Sequence, residues 1–444
     1  MRTVYNILFT LLFWLAAPYY FMRMRRRGNW TRGFSQRFGS FDAKIKQSLS
    51  NRHVLWLHAV SVGEVNVCTQ LIRALEPRLP NVKIMVSTTT TTGMGELQKR
   101  LPTHIGKFYY PLDRRRCVSR SINTIGPDAV VLVEAEIWPN FIWRLRDRGT
   151  PLFLVNARLS DKSFRGYKRY GFLFRQLFAS FAAVGAQNEA DAARLKELGC
   201  RPEAIHVVGS LKYDAAKLDE TRRLDVRKLL GQCGVPGDAQ LLVAGSTHQG
   251  EEKVLAEIYQ RLKQRFPKLF LVLVPRHFER SRDVARDLDA VGIKYLFRSE
   301  VGAETQHPAN SAECLLVNTT GELRHFYEEA SVIFVGKSLT ALGGQNPIEP
   351  GALGKPMVFG PNMQNFADVV RQFIEQDAAC QVKDAAELEA ALAELLGNQA
   401  RRVELGRKAF AVVQQNQGGI LRTVEMILAH LDSDEIYIAP PVKV

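Results

Sequence analysis

Phe334-Val-Gly-Lys-Ser-Leu339, followed by Gly343-Gly-Gln-Asn-Pro-Ile-Glu349, reads as a buried strand that enters a glycine-rich turn and then a helix. Glycines let backbone N–H groups come close to a phosphate, and the first turn of a helix adds a favourable dipole. Asn346 suits the N-cap and Pro347 the first helical position, which puts Glu349 in the first turn, within reach of a ligand's hydroxyls. The alternative at this loop is an ordinary strand-turn-helix corner in which Glu349 only complements the dipole.

Apolar runs of strand length recur on both sides of this stretch. One series comprises residues 53–58, 83–87, 129–133, 152–156 and 183–186; a second comprises 241–244, 269–274, 294–297, 314–317, 332–335 and 356–359. Apolar strands separated by helical stretches specify a parallel sheet covered on both faces, so two series predict two doubly wound α/β domains. The expected boundaries are 1–24 for an N-terminal segment, 25–214 for the first domain, 215–236 for a linker ending in Cys233-Gly-Val-Pro-Gly237, 237–430 for the second domain and 431–444 for a tail. Open parallel sheets bind ligands outside the C-terminal ends of their strands, so two such domains facing each other are expected to enclose a cleft.

The chain has 444 residues, 46% hydrophobic and 24% charged, with no low-complexity tract. From Val4 to Met22 it carries no charge, and Arg23, Arg25, Arg26 and Arg27 follow. About nineteen residues barely span a hydrocarbon core of roughly 30 Å, so the segment is expected to be an uncleaved membrane anchor or a helix lying in the interface. The arginines keep the rest of the chain on the cytoplasmic side by the positive-inside rule. The expected role of this segment is to localise the protein rather than to build its active site. A net charge of +15 suits nucleic acid in general, but no stacking platform or binding module accompanies it. Anionic membrane lipids are the better partner, met by Arg23 to Arg27, Arg32 and Arg37. The six cysteines are scattered and no histidines cluster, which indicates neither a disulfide framework nor a metal site.

Candidate chemistry gathers at the strand ends. Ser61-Val-Gly-Glu64 follows the first strand, where a partly buried glutamate can take a proton from a hydroxyl. Glu134-Ala-Glu136 ends a very apolar strand and would point both carboxylates the same way if the strand persisted; Lys212 or Arg158 is the natural cationic partner. In the second half, Ser246-Thr-His248, Pro275-Arg276-His277 and Thr319-Thr-Gly-Glu322 each follow a strand, and Arg276 is placed to clamp a phosphate.

Taken together, Ser61-Val-Gly-Glu64, Glu134-Ala-Glu-Ile-Trp-Pro-Asn140, Asn156-Ala-Arg-Leu-Ser160, Gly185-Ala-Gln-Asn-Glu189, Gly209-Ser-Leu-Lys212, Ser246-Thr-His248, Val274-Pro-Arg-His277 and Gly343-Gly-Gln-Asn-Pro-Ile-Glu349 resemble the 3-deoxy-D-manno-octulosonic acid (Kdo) transferases of lipopolysaccharide synthesis. The resemblance implies a GT-B glycosyltransferase with two Rossmann-like domains. Such an enzyme needs no metal or cofactor and moves Kdo with inversion from CMP-Kdo to the lipid A precursor, lipid IVA, at the cytoplasmic face of the inner membrane. It also implies roles: Glu64 as general base, Glu134 and Lys212 as transition-state stabilisers, and Pro275, Arg276, Gly321, Glu322, Leu323, Asn346, Pro347, Ile348 and Glu349 around CMP. Family members often carry Thr where this chain has Ala135 and His where it has Gln345. The competing readings are a membrane-associated GT-B transferase using another nucleotide sugar, and a GT-B sugar epimerase.

Overall fold

The computed structural model describes residues 2–26, 31, 33–134, 136–214, 224–302, 304–431 and 434–441. The chain divides into two compact units, Met1–Ala215 with Gln417–Val444 and Ala216–Asn416.

The first unit is built on a seven-stranded sheet of β1 (His53–His58), β2 (Val82–Thr88), β3 (Gly106–Tyr109), β4 (Ala129–Val133), β5 (Leu152–Ala157), β6 (Ala183–Ala186) and β7 (Ile205–Val207) in the order β3-β2-β1-β4-β5-β6-β7. Its pairings are all parallel. Alternate residues feed two cores: Leu55, Leu57, Val131 and Val133 pack on one face, and Val54, Trp56, Val130 and Leu132 on the other. That two-sided burial is why the central strands are apolar without interruption.

The second unit repeats the plan with β8 (Gln240–Thr247), β9 (Leu269–Pro275), β10 (Tyr295–Phe297), β11 (Cys314–Leu316), β12 (Val332–Val335), β13 (Met357–Phe359) and β14 (Cys380–Gln381), ordered β10-β11-β9-β8-β12-β13-β14 and again parallel. In the second sheet β11 inserts between β9 and β10, and each sheet crosses from its first strand to the opposite side at one place, between β1 and β4 and between β8 and β12. These are the topological switch points where α/β sheets open to ligands.

Two boundaries differ from those read in the sequence. The final helix, Gly419–Leu428, belongs to the first unit rather than the second: Ile420, Val424 and Ile427 complete the core that Leu71 and Ile72 line. Its first turn is held by the Asp214 carboxylate, which accepts from the backbone N–H groups of Gly418 (2.8 Å) and Ile420 (2.7 Å). The expected linker 215–236 contains a helix, Val226–Gln232, whose Leu229 and Leu230 are buried; residues 215–223 lie outside the described set.

The apolar N-terminal run forms the helix Arg2–Arg26, which exposes Leu8, Leu11, Leu12, Trp14 and Leu15. Among the described residues no helix is long and apolar enough to cross a membrane. Of the proposed basic face, Arg27 and Arg32 and the side chains of Arg23 and Arg26 lie outside the described set. Arg37 does not belong to such a face. It is half-buried, donates to the Thr89 carbonyl (2.8 Å) and lies over the Tyr109 ring, 4.4 Å from its centroid.

The glycine-rich turn after β12 also differs from expectation. The fully buried Glu251 carboxylate accepts from the N–H groups of His248, Lys337, Ser338 and Leu339 at 2.7–2.9 Å. Gly343, Gly344 and Gln345 donate to Gln364, Lys337 and Gly336. The amides expected to cradle an anion are therefore occupied in shaping the turn. Gly344 is needed for a close approach: at φ 72° a Cβ there would stand 2.5 Å from the Met363 sulfur. Replacing Glu251 with Ala strands four N–H donors, so the second unit should lose about 3 kcal/mol or more. Urea unfolding followed by circular dichroism measures this, and a loss under about 1 kcal/mol contradicts the assignment.

Candidate active site

In the first unit the expected groups meet at the C-terminal ends of neighbouring strands. Helix Val62–Leu75 follows β1, and its N-cap Ser61 accepts from the N–H of Glu64 (3.2 Å). The Glu64 carboxylate turns back to accept from the Val60 N–H (2.7 Å), which fixes it at the mouth of the sheet with 9% of its surface exposed. Burial raises its pKa; the Val60 bond opposes the shift, and the charges of Glu134 and Glu136 add to it.

β4 ends at Val133 and does not persist through Glu136. Glu134 takes a left-handed conformation, φ 62°, and accepts from the Asn156 amide (3.3 Å), with the Lys212 ammonium 3.7 Å away. Glu136 accepts from the Trp138 indole N–H (2.8 Å), and burial raises its pKa too. Of the two cationic partners considered for these acids, Lys212 is the one at Glu134. Asn156 is a partner the sequence reading did not assign. It sits at a register shift of β5 with φ 53°, its amide oxygen accepts from the Leu211 N–H, and so it joins the Glu134 and Lys212 loops. Glu64, Glu134 and Lys212 are thus brought together as expected, around the switch point between β1 and β4.

The second unit lines up loops after four adjacent strands, β11, β9, β8 and β12. Pro275 is buried at the end of β9, and Arg276 beyond it is exposed, with no hydrogen bond or ion pair from its guanidinium among the described residues. After β11, Gly321 adopts φ 86° with open space around it, and Leu323 opens the helix Leu323–Glu329. Glu322 is engaged by Arg298 (2.9 Å) and by the Thr319 hydroxyl.

After β12, Asn346 caps through its side chain, accepting from the Ile348 N–H (3.1 Å) and donating to Glu349 (3.3 Å), while Pro347 is buried at the N-cap position rather than the first helical one. The helix that follows, Ile348–Ala352, is only five residues, too short for a substantial dipole. Positive charge at this end of the sheet comes instead from side chains. His248 has its pKa lowered by burial and then by the nearby Lys337 and Arg280, and His277 lies with its ring centroid 6.3 Å from that of His248. Lys337 was missed as a contributor because nothing in its local pattern distinguishes it from a turn lysine.

Four of the seven non-glycine residues with positive φ among those described, Glu134, Asn156, Ser246 and Lys337, fall at these strand ends. Such strained conformations concentrate where surrounding structure holds a side chain for a task.

A family profile described as 3-deoxy-D-manno-octulosonic-acid transferase (kdotransferase) matches residues 32–215. A 3-deoxy-D-manno-octulosonic acid transferase of Bordetella pertussis is 33% identical over 425 residues, covering 93% of this chain and 96% of the relative. One of Haemophilus influenzae is 31% identical, covering 85% and 87%. The chain belongs to the Kdo transferase family. It is therefore a glycosyltransferase that transfers Kdo in lipopolysaccharide synthesis. A UDP-GlcNAc 2-epimerase from Neisseria meningitidis shares the fold at TM-score 0.58 but only 14% identity, covering 85% of this chain and all of that one. That likeness is one of architecture, and it agrees with the GT-B class.

In this Kdo transferase the three neighbouring carboxylates predict a measurable coupling. Glu64 should titrate above the ordinary carboxylate range, and Glu136→Gln, by removing a like charge, should lower its pKa. Carboxyl carbon shifts in a pH series on labelled protein read this directly. A Glu64 that titrates at the ordinary value, or that moves upward in the variant, contradicts the assignment.

Proposed function

We propose that this enzyme transfers Kdo from CMP-Kdo to the lipid A precursor, lipid IVA, with inversion at the anomeric carbon, at the cytoplasmic face of the inner membrane. The observation that carries the reading is the buried Glu64 carboxylate beside Glu134, Glu136 and Lys212, on a chain whose relatives transfer Kdo.

A glycosyl phosphate already carries a good leaving group, so the protein has three tasks. It must take a proton from the attacking hydroxyl, stabilise an oxocarbenium-like transition state, and receive the departing phosphate. Glu64, fixed by the Val60 N–H, accepts the acceptor's hydroxyl proton as that oxygen bonds to the anomeric carbon. The bond from that carbon to the phosphate oxygen breaks and CMP leaves with the electron pair. Glu134, beside the Lys212 ammonium and the Asn156 amide, faces the developing cation. On the second unit, Arg276, His248, Lys337 and the loop Gly321–Leu323 supply the donor phosphate's partners, and Asn346 with Glu349 meets hydroxyls of the nucleotide. Pro275, Pro347 and Ile348 are buried and shape the loops around that ligand.

A lipid acceptor suits the surface of the first unit. Besides the apolar face of helix Arg2–Arg26, Tyr170 and Phe172 are exposed among Lys162, Arg165, Lys168, Arg169 and Arg175. Apolar side chains ringed by cations suit a membrane bearing anionic headgroups. Incubation with CMP-Kdo and lipid IVA, followed by mass spectrometry of the lipid, tests the reaction, and a parallel incubation with UDP-sugars tests the competing transferase.

Two further outcomes are expected. Glu64→Gln should abolish transfer while CMP affinity stays nearly intact, because the base acts only on the acceptor hydroxyl; near-wild-type turnover would remove Glu64 from the mechanism. Activity should survive EDTA, since phosphate charge is met by Arg276 and its neighbours. A loss reversed by magnesium would show that a divalent ion is required.

A further inference from the structure

Helix Arg2–Arg26 does more than present an apolar face. Three of its first residues make specific polar contacts with the first unit. Arg2 pairs with both Asp147 oxygens at 2.7 and 2.8 Å and lies over the Trp143 ring. The Tyr5 hydroxyl donates to Asp113 (2.7 Å), and its ring meets Trp143 edge-on. Asn6 and Asn140 exchange amide hydrogen bonds at 3.2 and 2.9 Å.

These contacts lead to the catalytic loop. Asp113, 2% exposed, holds the start of helix Pro139–Asp147: its carboxylate accepts from the N–H groups of Asn140 and Phe141, each at 3.0 Å, and its carbonyl accepts from the Asn140 amide. That helix starts directly after the Glu136–Trp138 segment, in which Trp138 holds Glu136. Three residues before Asp113, Tyr110 stacks on His58 at 4.0 Å and lies 6.3 Å from Trp138. Each link from Tyr5 to Glu136 is therefore a hydrogen bond, a ring contact or a short piece of backbone. A buried carboxylate that loses one of its donors is left under-satisfied, and the turn it organises loosens.

We propose that Tyr5 and Asn6 are positioning residues for transfer: the N-terminal helix, through Asp113 and Asn140, sets the Glu136–Trp138 segment and hence the carboxylate that faces Glu64 from it. This replaces the expectation that the segment only localises the enzyme, and it rests on the reading of Glu64 and Glu134 as the acceptor-side machinery. Seating of the helix and geometry of the site are then one event.

The full chain carrying Tyr5→Phe with Asn6→Ala tests this, assayed with CMP-Kdo and lipid IVA dispersed in detergent, where membrane seating plays no part. The expected result is a fall in kcat of about tenfold or more with KM for CMP-Kdo unchanged, because a displaced catalytic group costs rate rather than donor binding. An unchanged kcat in detergent, with loss only on acceptor in vesicles, overturns the proposal and leaves the helix a membrane seat. A parallel loss of donor binding and thermal stability overturns it as well. Should the double variant fail to fold, Tyr5→Phe alone keeps the ring on Trp143 and carries the same expectation at roughly two- to fivefold. Failure of the wild-type chain to transfer in this assay counts against the proposed acceptor, not against the positioning role.

Discussion

Burial of both faces of a parallel sheet is the constraint from which the chemistry of this protein follows. Val130–Val133 and Leu271–Val274 are flanked by helices on either side, so a polar group placed along them would be desolvated without a partner. Polar residues are confined to the points where strands stop, and the parallel arrangement brings the C-terminal ends of all seven strands to one edge of each sheet. Glu64, Glu134 and Lys212 come from strands far apart in the chain and meet because the sheet delivers them there. The same geometry in the second unit gathers His248, Lys337, Arg280 and His277.

The two edges carry opposite chemistry, and the difference accords with transfer from an anionic donor to a hydroxyl. On the first unit burial raises the pKa of Glu64, and the charges of Glu134 and Glu136 add to that shift. Lys212 and the Asn156 amide satisfy Glu134, so the cost of clustering falls on Glu64 and Glu136, the two buried acids without a cationic partner of this kind. On the second unit burial lowers the pKa of His248 and the nearby Lys337 and Arg280 lower it further, so the edge is positive where the first unit's is negative.

Much of this was legible in the sequence because its signals are local. Most central strands are apolar runs whose ends fall within a residue or two of those expected, β8 running three residues further to Thr247, and Ser61 caps its helix as its residue type suggests, whereas Asn346 lies one residue before the N-cap. The strands that escaped notice, β3, β7 and β14, are the short edge strands or lie beside half-exposed positions, where an apolar run is not required. Partnerships across long separations also escaped. Glu251 reads as a helix-start acid, yet its four donors include three that are 86 to 88 residues away. The return of helix Gly419–Leu428 to the first unit depends on Asp214, 204 residues earlier. No window along the chain contains such a pair.

Glu251 also changes how the glycine-rich turn is understood. A loop whose own amides bind phosphate must keep them free, and in the apo state they would seek water or fluctuate. Here Glu251 ties three of them, leaving a turn that is ordered before any ligand arrives. The turn is therefore a rigid support for Lys337 and Asn346 rather than a cradle of free amides, which leaves side chains as the groups open to an anion. Side-chain cations attract charge over a longer range than backbone dipoles do, and they respond more strongly to salt. Donor binding built in this way is expected to weaken with ionic strength, whereas the shape of the turn, resting on a buried carboxylate, is not.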